Sequence, residues 1–122
     1  MSAVEAAARA LVGTRFRLHG RDPAYGLDCV GLVAAATGRG APTGYGWRSG
    51  DARRVTASLD AAFARGGDAP GAVLLLRAGP EQLHLAIRVS DGIVHADAGL
   101  RRVVWRPGAP PWPVLGYWKG EG

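Results

Sequence analysis

The sequence predicts an α+β domain on three observations. Helix-forming composition fills its first half, four or five β-rich runs fill its second, and the two kinds of segment do not alternate. At 122 residues the chain is sized for one compact domain, residues 1–122, whose core needs no disulfide or metal to hold it.

Each element follows from local signals. Ser2 to Val12 has helical composition, with Gly13 as its stop. Gly13 to Leu27, "GTRFRLHGRDPAYGL", is rich in turn formers and reads as a loop. Asp28 to Thr37 is a second helix, closed by Gly38 and Gly40. A Gly-rich excursion then runs from Gly38 to Gly50, and its composition permits a lid. "RRVTASLDAAFARGG" is a third helix with Thr56 or Ser58 near its start and Gly66 past its end. From Pro70 onward "GAVLLLR", "QLHLAIRVSDGIVHA", "LRRVVWR" and "PVLGYW" read as strands, with Asp91-Gly92 marking a tight hairpin.

Composition narrows the partners. The formal net charge is +5, almost all of it arginine because Lys119 is the only lysine. Such a balance favours an anionic partner: nucleic acid, an acidic membrane surface or cell-wall peptidoglycan. Nothing beyond charge supports nucleic acid, so no nucleic-acid partner is assigned. No apolar run approaches the ~20 residues that span a membrane, and "MSAVEAAARALVG" lacks the form of a secretory signal. The sequence therefore reads as a product made in the cytoplasm without an export signal of its own. One cysteine and three histidines fit no standard zinc spacing, so no metal is expected.

Cys29 is the residue with the most informative address. Asp28 has the chemistry of an N-cap, and Leu27 and Leu32 then occupy the two positions of a hydrophobic staple. Cys29 falls at the first helical position, where the helix dipole favours thiolate and free amides are available to an oxyanion. The competing reading is a small apolar residue packed among Val30, Leu32, Val33 and Ala34.

A nucleophile needs a base, and the base an orienting group. His84 alternates with Leu83, Leu85, Ile87 and Val89, the expected buried face, and so lies on the opposite face with Ala86 and Arg88. A hairpin closed by Asp91-Gly92 sets Arg88 opposite His95 and Ala86 opposite Asp97. Asp97 is then the diagonal neighbour of His84, whereas an earlier turn or a bulge brings His95 into range. Geometry leaves both as orienters.

The segments "GLDCVGLV", "PGAVLLL", "HLAI" and "GIVHA" resemble, in this order, the NlpC/P60 cysteine peptidases. With "FRLHGRDPAYGLDCVGL" the likeness is to the short cell-wall peptidases of prophages and gene-transfer agents. The resemblance implies a papain-like core in which N-terminal helices pack on a small antiparallel sheet. It further implies Cys29 as nucleophile, His84 as base and His95, rather than Asp97, as orienting residue, in a thiol acyl transfer that requires no cofactor. The implied substrate is peptidoglycan, cut at the γ-D-glutamyl to diaminopimelate or lysine bond. The implied partners are phage-tail or gene-transfer-agent proteins, with action at the cell wall or periplasm after particle delivery or lysis.

The sequence departs from that pattern at three places. Val30 stands for a serine, Ala72 for an aspartate, and Phe16-Arg17-Leu18-His19-Gly20 lacks the usual tyrosine hydroxyl, for which Tyr25 is the available substitute. His19 is either a cleft residue competing as base or a loop histidine beside Gly20. Arg15, Arg17 and Arg21 flank the same loop, as carboxylate-binding groups or as solvated charge. Trp47, Trp105, Trp112 and Trp118 form either a stacking wall for a glycan or ordinary packing. Two other functions remain in view: a non-catalytic tail or wall-binding component of the same fold, and a thiol amidase or acyltransferase on another substrate.

Overall fold

The structure is a computed structural model that describes residues 1–39 and 51–121. Its elements in chain order are α1 (Ala3–Ala10), β1 (Arg21–Asp22), β2 (Gly26–Leu27), α2 (Cys29–Thr37), α3 (Ala52–Ala62), β3 (Ala72–Gly79), β4 (Gln82–Val89), β5 (Gly92–Asp97), β6 (Arg102–Pro107) and β7 (Val114–Lys119). The α+β expectation holds: helices come first, then an antiparallel five-stranded sheet ordered β6-β5-β4-β3-β7.

Alternation along the strands builds two apolar layers. Leu83, Leu85, Ile87 and Val89 of β4 join Val4, Ala8, Leu32, Val33, Val55 and Leu59 from the helices in the main core. The other sheet face carries a smaller layer of Ala72, Leu74, Leu76, Ala86 and Ile93, against which Trp112, Val114 and Tyr117 pack. Trp118 is fully buried in the main core, donates its Nε1–H to Asp60 at 2.9 Å and lies under the Arg65 guanidinium. That burial removes Trp118 from any glycan-stacking wall. Trp105 sits at the sheet edge and donates to Asp91, while Trp47 and most of the Gly38 to Gly50 segment lie outside the described residues.

Several boundaries differ from the sequence reading, each for a local reason. α1 stops at Ala10, with Leu11 as C-cap, so the turn into Gly13 begins earlier than Val12. The segment read as loop contains the β1–β2 hairpin, pairing Arg21 with Leu27 and Asp22 with Gly26. α3 begins four to six residues before Thr56 or Ser58, because Asp51 is its cap and accepts from Arg54 N–H at 3.2 Å; Ser58 instead bonds back to Arg54 O within the helix.

The hairpin between β4 and β5 turns on Ser90-Asp91, one residue earlier than read, so Val89 pairs with Gly92 and Arg88 with Ile93. Buried Glu5 of α1 explains the choice: its carboxylate accepts the Ser90 N–H at 2.6 Å, while Arg9 reaches Asp91 at 2.6 Å. Tertiary bonds from a distant helix thus select the turn.

Candidate active site

α2 starts as the sequence requires. Asp28 caps it, accepting from Gly31 N–H at 2.8 Å, and both staple residues, Leu27 and Leu32, are fully buried. The same carboxylate also accepts from His19 N–H at 2.9 Å and pairs with Arg21 at 2.7 Å. Asp28 therefore ties the preceding loop to the helix start. Gly31 lets that loop approach: a Cβ there would run into the carbonyl oxygen of Gly20.

These contacts decide the roles of the loop residues. His19 takes part through its backbone, held at a φ of 61°, and its imidazole is exposed. Arg21 is engaged by Asp28 and by Gly20 O, which makes it a structural ion pair first. Arg15 and Arg17 are exposed, and Tyr25 is 66 % exposed at the β1–β2 turn. Phe16 packs inward against the main core and bridges to Leu27.

Cys29 occupies the first helical position and is partly exposed, packed against the main core. The backbone N–H groups of Leu85 and Val30 act on its sulfur in favour of the thiolate, as does Arg21; Asp28 acts against it. The largest effect is burial, which pushes the thiol up to about 12. The expectation that the helix start lowers this thiol is thus reversed in the resting protein, because desolvation outweighs the dipole.

Leu85, the neighbour of His84 on β4, is where the sheet meets the cysteine, and among the described residues no hydrogen bond joins Cys29 to His84 or His95. The β4–β5 ladder ends at Ile87↔Val94, so the start of β4 has a strand neighbour only in β3. His84, one residue before Leu85, pairs with Leu76 of β3 and lies on the sheet face of the smaller layer. The earlier turn shifts the β4–β5 register by two residues, pairing Arg88 with Ile93 instead of His95, and so carries His95 past the end of the ladder toward His84. As a result His84 Nε2 and His95 Nδ1 stand 3.0 Å apart. Of the two candidate orienters it is His95 that makes the contact. Asp97 acts on both rings only through its charge, and its carboxylate caps a turn by accepting from Leu100 N–H.

Burial keeps both imidazoles neutral. It depresses His84 to about 4, helped by the neighbouring His95 charge and opposed by Asp97. His95 is lowered mainly by burial, with Asp97 opposing and Arg106 assisting.

The sequence reads one residue at this site only as stacking wall or ordinary packing, not as a neighbour of the histidines. Trp112 stands edge-on to both rings, with centroid distances of 5.5 Å to His84 and 5.4 Å to His95. Its only sequence signal is a tryptophan set among prolines in "PPWP". Val30 and Ala72, two of the departures from the expected pattern, are both buried apolar residues. Among the described residues no group of histidine, cysteine and carboxylate side chains is placed to hold a metal ion.

The arrangement of helices before a five-stranded antiparallel sheet is the fold of known NlpC/P60 domains. Two solved structures share it: NlpC1 from Trichomonas vaginalis, with a TM-score of 0.68 at 19 % identity over 95 % of this chain, and the NlpC/p60 domain of peptidoglycan hydrolase SagA, with a TM-score of 0.59 at 24 % identity over 86 % of this chain. The chain spans 42 % of the NlpC1 chain and 86 % of the SagA domain. No protein-family model matches the sequence, and no curated protein matches it.

Proposed function

We propose that this chain is an NlpC/P60-type cysteine peptidase that hydrolyses peptidoglycan stem peptides, with Cys29 as nucleophile, His84 as base and His95 as the group that orients it. The observation that carries the reading is the 3.0 Å contact between His84 and His95 beside the strand position whose N–H acts on Cys29. The peptidoglycan hydrolase named among the fold neighbours supports the substrate class.

In this reading the resting site holds a neutral thiol and a neutral imidazole. The Cys29 proton passes to His84 Nδ1 as the sulfur attacks the scissile carbonyl, so the ion pair forms during the step rather than before it. Negative charge on the carbonyl oxygen is met by the amides of the first turn of α2, with the Cys29 N–H as first donor. Collapse of the adduct expels the amine, which takes the proton from His84. Water, deprotonated by His84, then cleaves the thioester and restores the thiol. If His84 Nε2 donates to His95 Nδ1, the Nδ1 lone pair of His84 is left free for this work.

The γ-D-glutamyl to diaminopimelate or lysine bond is the cleavage site we assign, with exposed Arg17 contributing positive charge for stem-peptide carboxylates and Arg21 holding the loop. Delivery in a phage-like particle, through tail or gene-transfer-agent proteins to the wall or periplasm, is supported by the resemblance of the Phe16 to Leu32 segment. The buried Val30 and Ala72 favour a second reading, a wall-binding component that keeps the fold without turnover.

Digestion of purified sacculi, followed by mass spectrometry of the released fragments, separates the two. Wild type is expected to release fragments ending in D-glutamate, and Cys29→Ala to lose at least about 10³-fold in rate while still sedimenting with sacculi. Sedimentation without any release by wild type makes the second reading correct.

A further inference from the structure

Three rings meet at this site in a closed triangle. His84 and His95 are 5.1 Å apart with planes at 90°, and Trp112 stands to them at 79° and 84°. Each pair is edge-to-face, the arrangement that aromatic quadrupoles favour and that fixes relative ring orientation. We infer that Trp112 is a positioning residue: bearing on both imidazoles at once, it locks His84 and His95 in the one relative orientation in which Nε2 of the first faces Nδ1 of the second.

The segment that delivers Trp112 is built for a fixed pose. Trp112 lies between β6 and β7 with Pro110 and Pro111 before it and Pro113 after it, so neighbouring φ angles are preset and little entropy is lost in ordering the ring. Pro113 O accepts from Arg77 N–H at 3.0 Å, which pins the segment to β3. The indole also packs on the smaller apolar layer, beside Val114 and Tyr117.

A lock is needed because the histidine contact is a single hydrogen bond between two neutral rings. Each nitrogen is a donor in one tautomer and an acceptor in the other, so a half-turn of either ring, or a switch of tautomer, removes the free Nδ1 lone pair from His84. The charged groups acting on the pair, Asp97 and Arg106, oppose each other at His95 and do not choose the arrangement. Steric confinement by the indole does. It also completes the burial that keeps both rings uncharged.

The role in catalysis rests on the peptidase reading, whereas the locking itself is testable without substrate. Nitrogen-15 spectra of the histidine rings across pH are to be compared for wild type, Trp112→Ala, Trp112→Phe and Trp112→Leu, with unfolding curves to establish folding. Wild type is expected to show one fixed His84 tautomer that titrates near 4. Trp112→Ala and Trp112→Leu should show averaged tautomers and a midpoint moved toward 6.5, and Trp112→Phe, which restores a ring edge, should return both toward wild type. A folded Trp112→Ala with unchanged tautomer and titration overturns the inference. If that variant does not fold, equal behaviour of the Leu and Phe variants overturns it. Turnover by Cys29→Ala would remove the peptidase reading and leave these spectra standing.

Discussion

At the scale of single residues, the chemistry turns on how burial sets Cys29 and His84. With the thiol pushed up to about 12, little thiolate exists at neutral pH, so iodoacetamide should modify Cys29 at least about 10-fold more slowly than an exposed cysteine at pH 7. Mass spectrometry of the alkylated protein between pH 6 and 10 checks this; fast labelling near pH 6 would mean a preformed ion pair. In the proposed reaction His84 acts as a base only while neutral, and burial keeps it neutral down to about 4, so the acid limb of kcat/KM is expected near pH 4 rather than 6.5. These settings were not legible in the sequence. The N-cap and staple around Cys29 were, because they depend on neighbours a few positions away. Desolvation of the thiol depends on what β4 places above it, which sequence spacing does not reveal.

At the scale of elements, the start of α2 is the part most tightly specified. Asp28→Ala removes the cap together with the ties to His19 and Arg21, and is expected to cost about 1–2 kcal/mol in urea unfolding. Gly31→Ala separates two opposing effects. Helix propensity alone predicts stabilisation by about 1 kcal/mol. The contact with Gly20 O predicts displacement of the loop and helix start, and with it a fall in turnover of about 100-fold in the sacculus assay; we expect the contact to dominate. The five strands were legible from alternating and continuous apolar runs. The turn between β4 and β5 falls one residue from its sequence signal because Ser90 N–H is claimed by Glu5, 85 positions away in sequence. That single step sets which residue lies opposite His95, so the histidine pairing stays undecided until the register is known. Trp112 is visible in the sequence only as one of four tryptophans, since nothing local announces which sheet face a proline-flanked ring will meet.

At the scale of the whole molecule, titration couples the site to stability. His84 and His95 are both depressed in the folded state, so the unfolded chain binds their protons first as pH falls below 6.5, and stability declines until the folded rings also protonate. Glu5 is lowered chiefly by the Ser90 N–H, and Asp60 by its bond to Arg65. These carboxylates therefore add a further loss as pH falls through and below about 4.5. Urea midpoints should drop steadily from pH 7 to pH 4, and His84→Ala should flatten the upper part of that slope; a midpoint that rises on acidification would contradict both shifts. The ends of the molecule are joined by a less conspicuous bond, since Glu121 accepts the Val4 N–H at 2.8 Å beside the start of α1. A chain closed on itself in this way can be opened somewhere else. Linking residue 121 to residue 2 and creating new ends in the exposed turn around Ala98 should give a circular permutant with the same sheet order, in which Trp112 precedes Cys29, His84 and His95 along the chain.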